Sequence, residues 1–375
     1  MKKQLTILLL FLFNCTFICG QKIIKTDTPC DKELLKKTPG EWMPISKMHR
    51  TTLKSQLQQI EKRLAIIHQW VKNIYPSPMA FDAIPSYRSS DQNFAAQVKI
   101  ENTDDRFNSY MNGIGTISYS YSAGFCDYHC GREPNEIMLG RGCETGTNIN
   151  ADMNTMQGFF WELSGADLNR DMIIDGRPIR TMPLLKGKWK GYDLYAPQNG
   201  SGIRMVLLHR EGMLPYIPVT RKQYLDRSIE GLQKFFDKII KSLENPVGLA
   251  TLMDKKEKDE QIKKQQKFRD DVLKYYQDEL DATTKAGLLD TPAIIFGGIM
   301  QMHTQYPLFQ TQADGGRLLV TENPAYIKKD LPKYIPQLII YSMWNGEDGP
   351  DPSLNPYYYY YQDFPIEKLK AMIDK

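Results

Sequence analysis

The feature that most constrains the fold is a helix start in the middle of the 375-residue chain. Thr220 and Gln223 have the spacing of a capping box, in which each side chain accepts a hydrogen bond from the backbone N–H of the other residue. Val219 and Tyr224 are placed to form the hydrophobic staple that accompanies such a start. Residues 203–209 have the composition of a strand. The sequence therefore predicts a strand that leads, through a short connection, into a helix beginning after Thr220.

This helix is predicted to pair with a second one. Apolar residues recur along it at steps of three and four, which places them on one face, and the sequence 245–248 breaks the pattern. A second, highly charged helix is predicted to follow and to end at Gly287. Because the connection is short, the two helices are expected to form an antiparallel helical hairpin at 221–286. The mixed charges at 254–260 are typical of a solvated helix face, with a partner-binding face as the alternative.

The remaining pattern predicts an α+β protein. An amphipathic helix is expected from about residue 46 to 75, where one apolar stripe runs through three heptads; it fits packing on the domain's own core or a coiled-coil seam. In the segment 116–122, Tyr119 and Tyr121 alternate with serines as in a half-buried strand. Later apolar runs predict further strands, at least one of them buried on both faces. We therefore expect an antiparallel sheet with an amphipathic N-terminal helix and a helical hairpin.

The N-terminal residues indicate export. Residues 1–20 have the lysines, the short apolar core and the small final residue of a signal peptide. Cys15 and Cys19 keep a lipid anchor open as an alternative, although their neighbours do not match lipoprotein processing. An extended arm at 21–45 and a globular region at 46–375 are expected to follow. No second apolar run reaches the ~20 residues of a membrane span, so the sequence predicts a periplasmic or secreted protein without a transmembrane segment.

The cysteines left after such a signal favour disulfides. An even number in an exported chain is typical of disulfide bonding, and three pairings are possible. A soft-metal site that includes His129 is the alternative, but adjacent His and Cys residues do not easily enter one tetrahedral sphere. The surrounding region 125–154, rich in Gly, Asn and Cys, is predicted to be a long loop. The candidate disulfide residues are Cys30, Cys126, Cys130 and Cys143.

One segment has part of a calcium-binding pattern. Oxygen-bearing side chains stand at positions one, three, five and nine, as in half of an EF-hand-like loop. Met172 and Pro178 replace the glycine and the bidentate glutamate that the full loop needs. A polar turn without metal is the alternative, and Asp175-Gly176 has the composition of a hairpin turn. The candidate calcium ligands are Asp167, Asn169, Asp171 and Asp175.

A run of five tyrosines near the C-terminal end is a candidate binding element. In an exported protein, exposed aromatic rings can stack on sugar faces or contact a partner. Alternatively, alternate tyrosines line one face of a strand against the core. The candidate binding residues are Tyr357, Tyr359 and Tyr361.

The charge and the motifs favour a binding protein. A formal net charge of +4 without a concentrated basic patch argues against nucleic-acid binding. The chain lacks the nucleophile-elbow, zinc-protease and phosphate-loop motifs. We therefore expect a non-catalytic exported module that binds an unknown ligand or envelope partner, with calcium as its one candidate cofactor. The alternative is an extracytoplasmic hydrolase that acts on glycan or peptide through Asp/Glu groups, because such carboxylate pairs leave no sequence spacing.

The segment 214–225 adds a resemblance. It has the pattern Leu-Pro-x-x-Pro-Val-Thr-Arg-x-x-Tyr-Leu and resembles a segment of uncharacterised exported bacterial proteins. The resemblance extends loosely over much of the chain after the signal. It implies an exported protein but carries no assigned activity and no functional residues.

Overall fold

The computed structural model describes residues 23–50, 54–90, 116–139, 148–156, 159–162, 172–197, 202–245, 254–296, 307–344 and 356–375. Helices and multi-stranded sheets are both present, so the predicted α+β class is confirmed. The predicted signal lies outside the described residues. Within them, no helix combines the length and the apolar character needed to cross a membrane.

In chain order the described strands are β1 (Ile23–Lys25), β2 (Ser46–Arg50), β3 (Phe81–Ser90), β4 (Ser118–Cys130), β5 (Glu136–Leu139), β6 (Asn148–Met153), β7 (Trp161–Glu162), β8 (Ile173–Ile174), β9 (Arg177–Pro178), β10 (Arg180–Thr181), β11 (Leu184–Trp189), β12 (Tyr192–Ala196), β13 (Ile203–Leu208), β14 (Tyr216–Pro218), β15 (Ile294–Phe296), β16 (Gly316–Glu322) and β17 (Ile339–Trp344). The described helices are α1 (Lys32–Lys37), α2 (Lys54–Ile74), α3 (Arg221–Glu244), α4 (Lys255–Lys285), α5 (Pro356–Asp363) and α6 (Ile366–Lys370).

The larger sheet contains ten of these strands. Its central order is β3-β4-β6-β17-β13-β12-β11, with β2 beside β3, and with β5 and then β1 continuing from the end of β4. The pairs are antiparallel except for β2, which runs parallel to β3. In β17, buried residues face both sides, among them Ile340 and Tyr341. This confirms the expectation of a strand buried on both faces.

One face of this sheet packs on helix α2. Leu64 and Ile67 of α2 are fully buried in the same apolar cluster as Tyr119 and Tyr121 of β4. The imidazole Nδ1 of His68 in α2 lies 3.2 Å from the Tyr121 hydroxyl. The serines between these tyrosines therefore lie on the opposite face, as the alternation in the sequence predicts.

A second core surrounds the smaller sheet, in which the order is β14-β16-β10-β7 and β15 also pairs with β16. Helices α3 and α4 pack there through residues such as Tyr224 and Tyr276, which share an apolar cluster with Leu319 of β16. The predicted capping box is present. Gln223 N donates to Thr220 Oγ1 at 3.2 Å, and Thr220 N donates to Gln223 Oε1 at 2.9 Å.

The structure differs from the sequence-based expectations at four places. The helix predicted from residue 46 begins at Lys54, because the preceding residues pair with β3 as strand β2. The region 125–154, predicted to be a loop, instead includes the end of β4, the strand β5, which forms a hairpin with it, and the strand β6, which pairs with β4 and with the distant β17. The five tyrosines lie in helix α5 rather than in a strand. The segment 21–45, expected to be extended, contains both β1 and the short helix α1.

Candidate functional site

The face of the larger sheet opposite α2 is polar across β3, β4 and β6. Residues that pair in register have side chains on the same face of a sheet. The pairs Arg88 with Ser120 and Ser120 with Asp152 therefore form one row across three strands. We call the polar residues of these strands and of β17 on this side the serine face: Ser86, Arg88, Ser90, Ser118, Ser120, Ser122, Asn150, Asp152 and Ser342.

The same row explains where the polar surface ends. Asp152 pairs with Ile340, and Ile340 pairs with Leu207. These two apolar residues are buried in a cluster with Val320 of the smaller sheet. The smaller sheet thus covers this end of the row, and Asp152 lies at the border between an apolar core and the serine face.

A cleft of about 230 Å³ opens at this border. Its volume is below the range of about 300–1,000 Å³ that is typical of sites for drug-sized ligands, so it fits a smaller molecule. Arg88 is exposed, while Ser120 and Asp152 are half-buried. The residues that line the cleft are Arg88, Ser89, Ser118, Tyr119, Ser120, Asp152 and Thr155.

Asp152 is the carboxyl group of this cleft. Burial raises its pKa to about 7, and the positive charge of Arg88 opposes this rise. Among the described residues, no group donates a hydrogen bond to it. Asp82 provides a contrast within the same sheet, because it is more deeply buried and has hydrogen-bond donors. Its Oδ1 accepts a hydrogen bond from Glu41 N at 2.9 Å and another from the Tyr128 hydroxyl at 2.6 Å. Asp152 is therefore a carboxyl group that titrates near neutral pH and has acceptor capacity for a ligand.

A second group of polar residues lies on the opposite side of β3. The hydroxyl of Ser89 is 2.8 Å from His49 Nδ1, and His49 Nε2 is 3.1 Å from Glu61 Oε1. Lys47 Nζ donates to the other oxygen of Glu61 at 2.5 Å and is the largest cause of the lowered pKa of that carboxyl group. Ionised Glu61 favours a proton on Nε2, which leaves Nδ1 to accept from Ser89.

This Ser89–His49–Glu61 array has the order of a catalytic triad, but its position is that of a structural link. Ser89 is 4% exposed and pairs with Tyr119, which faces α2. Lys47 and His49 lie two positions apart on β2 and therefore on the same face of the strand, and both contact Glu61 of α2. The array therefore fastens the edge strand β2 to the helix, while Ser89 also borders the cleft.

A second cleft, of about 390 Å³, lies beside the C-terminal residues and includes Arg210 and Asp374 in its lining. Two of its charged groups, Arg210 and Asp374, form an ion pair. Arg210 donates twice to Asp374 and once to Gln337, and Lys328 donates to Asp374 at 2.6 Å. This network holds the C-terminal residues in place, so Arg210 and Asp374 have a structural role.

The structure brings together two of the four predicted disulfide cysteines, since Cys30 is bonded to Cys130. Cys126 is also disulfide-bonded, and its partner lies outside the described residues, as does Cys143. The disulfide joins the N-terminal segment to the end of β4, next to the pairing of β1 with β5. The predicted presence of a disulfide is confirmed. For the alternative metal site, no cluster of three or more His, Cys, Asp or Glu side chains occurs within the described ranges.

Of the calcium candidates, Asp167, Asn169 and Asp171 lie outside the described residues. Asp175 is described: it is exposed, and it pairs with Arg177 at 3.1 Å. Its φ of 49° and the φ of 76° at Gly176 form the tight turn of the β8–β9 hairpin, which confirms the predicted hairpin turn. Calcium binding stays a prediction.

The tyrosine candidates contact the protein's own aromatic residues. The ring of Tyr359 is 5.1 Å from that of Tyr75, and the ring of Tyr361 is 5.5 Å from that of Trp189. The side chain of Tyr357 lies outside the described set. Among the described side chains of this helix, the ring of Tyr358 is exposed, at 50%. A ligand role of these tyrosines stays a prediction.

Comparison with models of protein families, with curated proteins and with solved structures finds no match. The geometry of the described residues is therefore the basis for a functional proposal.

Proposed function

We propose that this chain is an exported, non-catalytic binding protein and that the cleft on the serine face is its ligand site. The observation that carries the proposal is Asp152, a half-buried carboxyl group in a cleft, without a hydrogen-bond donor among the described residues and across from the exposed Arg88. A carboxyl group in a cleft whose pKa is raised by burial and modulated by a specific charge is a feature that functional sites often share. Serine hydroxyl groups around it can both donate and accept hydrogen bonds.

Export is part of the same proposal. The disulfide between Cys30 and Cys130 is typical of proteins that fold in an oxidising compartment. The signal-like residues 1–20 and the segment 214–225 also favour a periplasmic or secreted protein. A lipid anchor at Cys15 or Cys19 is the less favoured alternative. Mass spectrometry of the protein from the producing cell tests this, because retention of residues 1–20 in the mature chain would contradict it.

The binding site is tested by substitution in the full mature chain. Small polar compounds are screened by thermal shift against the wild type, Asp152→Asn and the matched surface control Asp330→Asn. Any compound that binds in the cleft is expected to lose its shift, or to change it, in Asp152→Asn alone. Compounds that stabilise all three proteins equally bind elsewhere, and a screen in which every shift is of that kind contradicts the proposal.

A second candidate function is hydrolysis. Hydrolysis by a pair of Asp/Glu groups requires two carboxyl groups that face each other. Among the described residues of the cleft, Asp152 is the one carboxyl group. The Ser89–His49–Glu61 array favours a different form, in which His49 would take the proton of Ser89 as the hydroxyl attacks an ester or amide carbonyl.

The two functions are separated by a covalent probe. A fluorophosphonate labels an activated serine, so labelling of the wild type that disappears in both Ser89→Ala and His49→Gln would establish a nucleophile. The binding proposal expects no labelling of Ser89, because its hydroxyl lies on the side of the sheet that packs on α2.

A further inference from the structure

We propose that the ligand of the cleft is a small carboxylic acid that also carries hydroxyl groups. Arg88 binds its carboxylate, while Asp152 and the neighbouring serines bind its hydroxyl groups. This inference rests on the proposed binding function and adds the chemical class of the ligand.

The carboxylate is assigned to Arg88. Its guanidinium is exposed, and within the described part of the chain it makes no hydrogen bond or ion pair. A planar guanidinium matches a carboxylate through two parallel hydrogen bonds. Arg50 lies on the same side of the neighbouring strand β2, where it pairs with Ser90. Among the described residues of the serine face, Asp152 is the one carboxyl group, and the cations Arg88 and Arg50 on the same side of the sheet favour an anionic ligand.

The hydroxyl groups are assigned from the spacing of the row. Arg88 and Asp152 are separated by Ser120, which places their backbones two strand spacings, or about 10 Å, apart. A ligand that reaches from Arg88 toward Asp152 therefore passes over Ser118 and Ser120. Ser118 Oγ already donates to Asn154 O at 3.5 Å. Hydroxyl groups on the ligand pair with the Ser120 hydroxyl and with a carboxyl oxygen of Asp152, whereas an apolar chain would leave both without partners.

The cleft does not select its ligand by aromatic stacking. Its one aromatic residue among those described, Tyr119, is 2% exposed, and its hydroxyl donates to Tyr334 O at 2.8 Å. Sites that bind neutral sugars commonly present an aromatic face to the ring. Recognition here depends on the charge of Arg88 and on hydrogen bonds, which favours the acid over the neutral sugar.

Asp152 also sets the sign of the pH dependence. Among the described residues, Arg88 on β3 is the charged group that acts on Asp152, and Arg50 on β2 lies farther away on the same side of the sheet; β4 contributes serines and β17 contributes the apolar Ile340. Burial raises the pKa of Asp152 to about 7. An anionic ligand is repelled by ionised Asp152 and accepted by the neutral form, so its binding strengthens as the pH falls through 7. A ligand that presents an ammonium group to Asp152 has the opposite dependence.

The experiment is isothermal titration of the full mature chain with D-gluconate and D-glucuronate at pH 6 and pH 8. The comparison compounds are D-glucose, L-serine and inorganic phosphate. If the protonated form of Asp152 binds, the affinity at pH 6 is expected to exceed that at pH 8 about tenfold, the ratio of protonated fractions for a pKa near 7. The variants are Arg88→Gln, Asp152→Asn and, as a matched control, the exposed Arg132→Gln.

The inference predicts that Arg88→Gln weakens binding of the sugar acids at least tenfold and that Arg132→Gln leaves it unchanged. Asp152→Asn is expected to bind them with equal affinity at both pH values. The ligand class is wrong if glucose or phosphate binds more strongly than the sugar acids, or if serine binds and its affinity rises toward pH 8. In either case the cleft is still a binding site if Asp152→Asn alters that binding. Absence of binding by all five compounds overturns the ligand class, while the broader screen with Asp152→Asn decides the binding function.

Discussion

Arg210 holds Asp374 through two parallel hydrogen bonds, from Nε to Oδ2 at 2.6 Å and from Nη2 to Oδ1 at 2.8 Å. The guanidinium also lies 4.5 Å from the centre of the Tyr326 ring. This pair joins the end of β13 to the C-terminal residues, so its strength can be measured as protein stability.

We expect Asp374→Asn to lower the free energy of unfolding by about 2 kcal/mol at pH 7, because hydrogen bonds to charged groups contribute about 1.5–3 kcal/mol. The hydrogen bond from Arg210 is the largest cause of the lowered pKa of Asp374. A lowered pKa means that the pair stabilises the fold above the unfolded pKa of about 3.9 and is lost as the pH falls through the folded pKa. The difference between variant and wild type in urea unfolding should therefore shrink below pH 4. The exposed Asp330→Asn is the control, and an equal effect there would contradict the assignment.

The capping box supplies a second prediction. Thr220→Ala removes the acceptor for Gln223 N and is expected to cost about 1 kcal/mol, while Thr220→Ser keeps the hydroxyl and should cost much less. Urea unfolding of both variants measures the difference. Equal stability of the alanine and serine variants would show that the hydroxyl does not stabilise α3.

The disulfide supplies a third prediction. Cys30 and Cys130 are separated by 100 residues in sequence, and closing a loop of that length is expected to stabilise a protein by about 2–5 kcal/mol. The double variant Cys30→Ala/Cys130→Ala should unfold at a correspondingly lower urea concentration and leave the bond of Cys126 intact. Unchanged unfolding midpoints would indicate that the backbone hydrogen bonds of the N-terminal segment hold it without the disulfide.

Local signals in the sequence predicted much of the fold. The helix start at Thr220, the hairpin turn at Asp175 and the alternation around Tyr121 each depend on residues within a few positions of one another. Strand β2 was missed because its partner β3 lies about 40 residues further along the chain. Its residues are mostly polar and carry no alternation of their own, so no local pattern marked them as a strand.

The candidate site was not predictable from the sequence for the same physical reason. Arg88, Ser120 and Asp152 come from three strands, and only their register places them in one row. The alternating serines indicated a polar face, but not the carboxyl group at its border. The raised pKa of Asp152 depends in addition on Ile340 and the smaller sheet, which pack beside it through contacts that no local pattern contains.

The protonation of Asp152 supplies the last prediction. Its pKa is raised to about 7 in the folded protein, against about 3.9 in the unfolded chain. The folded state thus binds the proton more tightly, so ionised Asp152 lowers stability progressively from about pH 4 to pH 7, and the cost is constant above pH 7. Three pKa units correspond to roughly 4 kcal/mol, and partial contact with solvent reduces this to about 2 kcal/mol. We therefore expect Asp152→Asn to be more stable than the wild type by about 2 kcal/mol at pH 8 and equally stable near pH 4, as measured by urea unfolding. A variant that gains nothing at pH 8 would show that Asp152 is solvated and ionises normally.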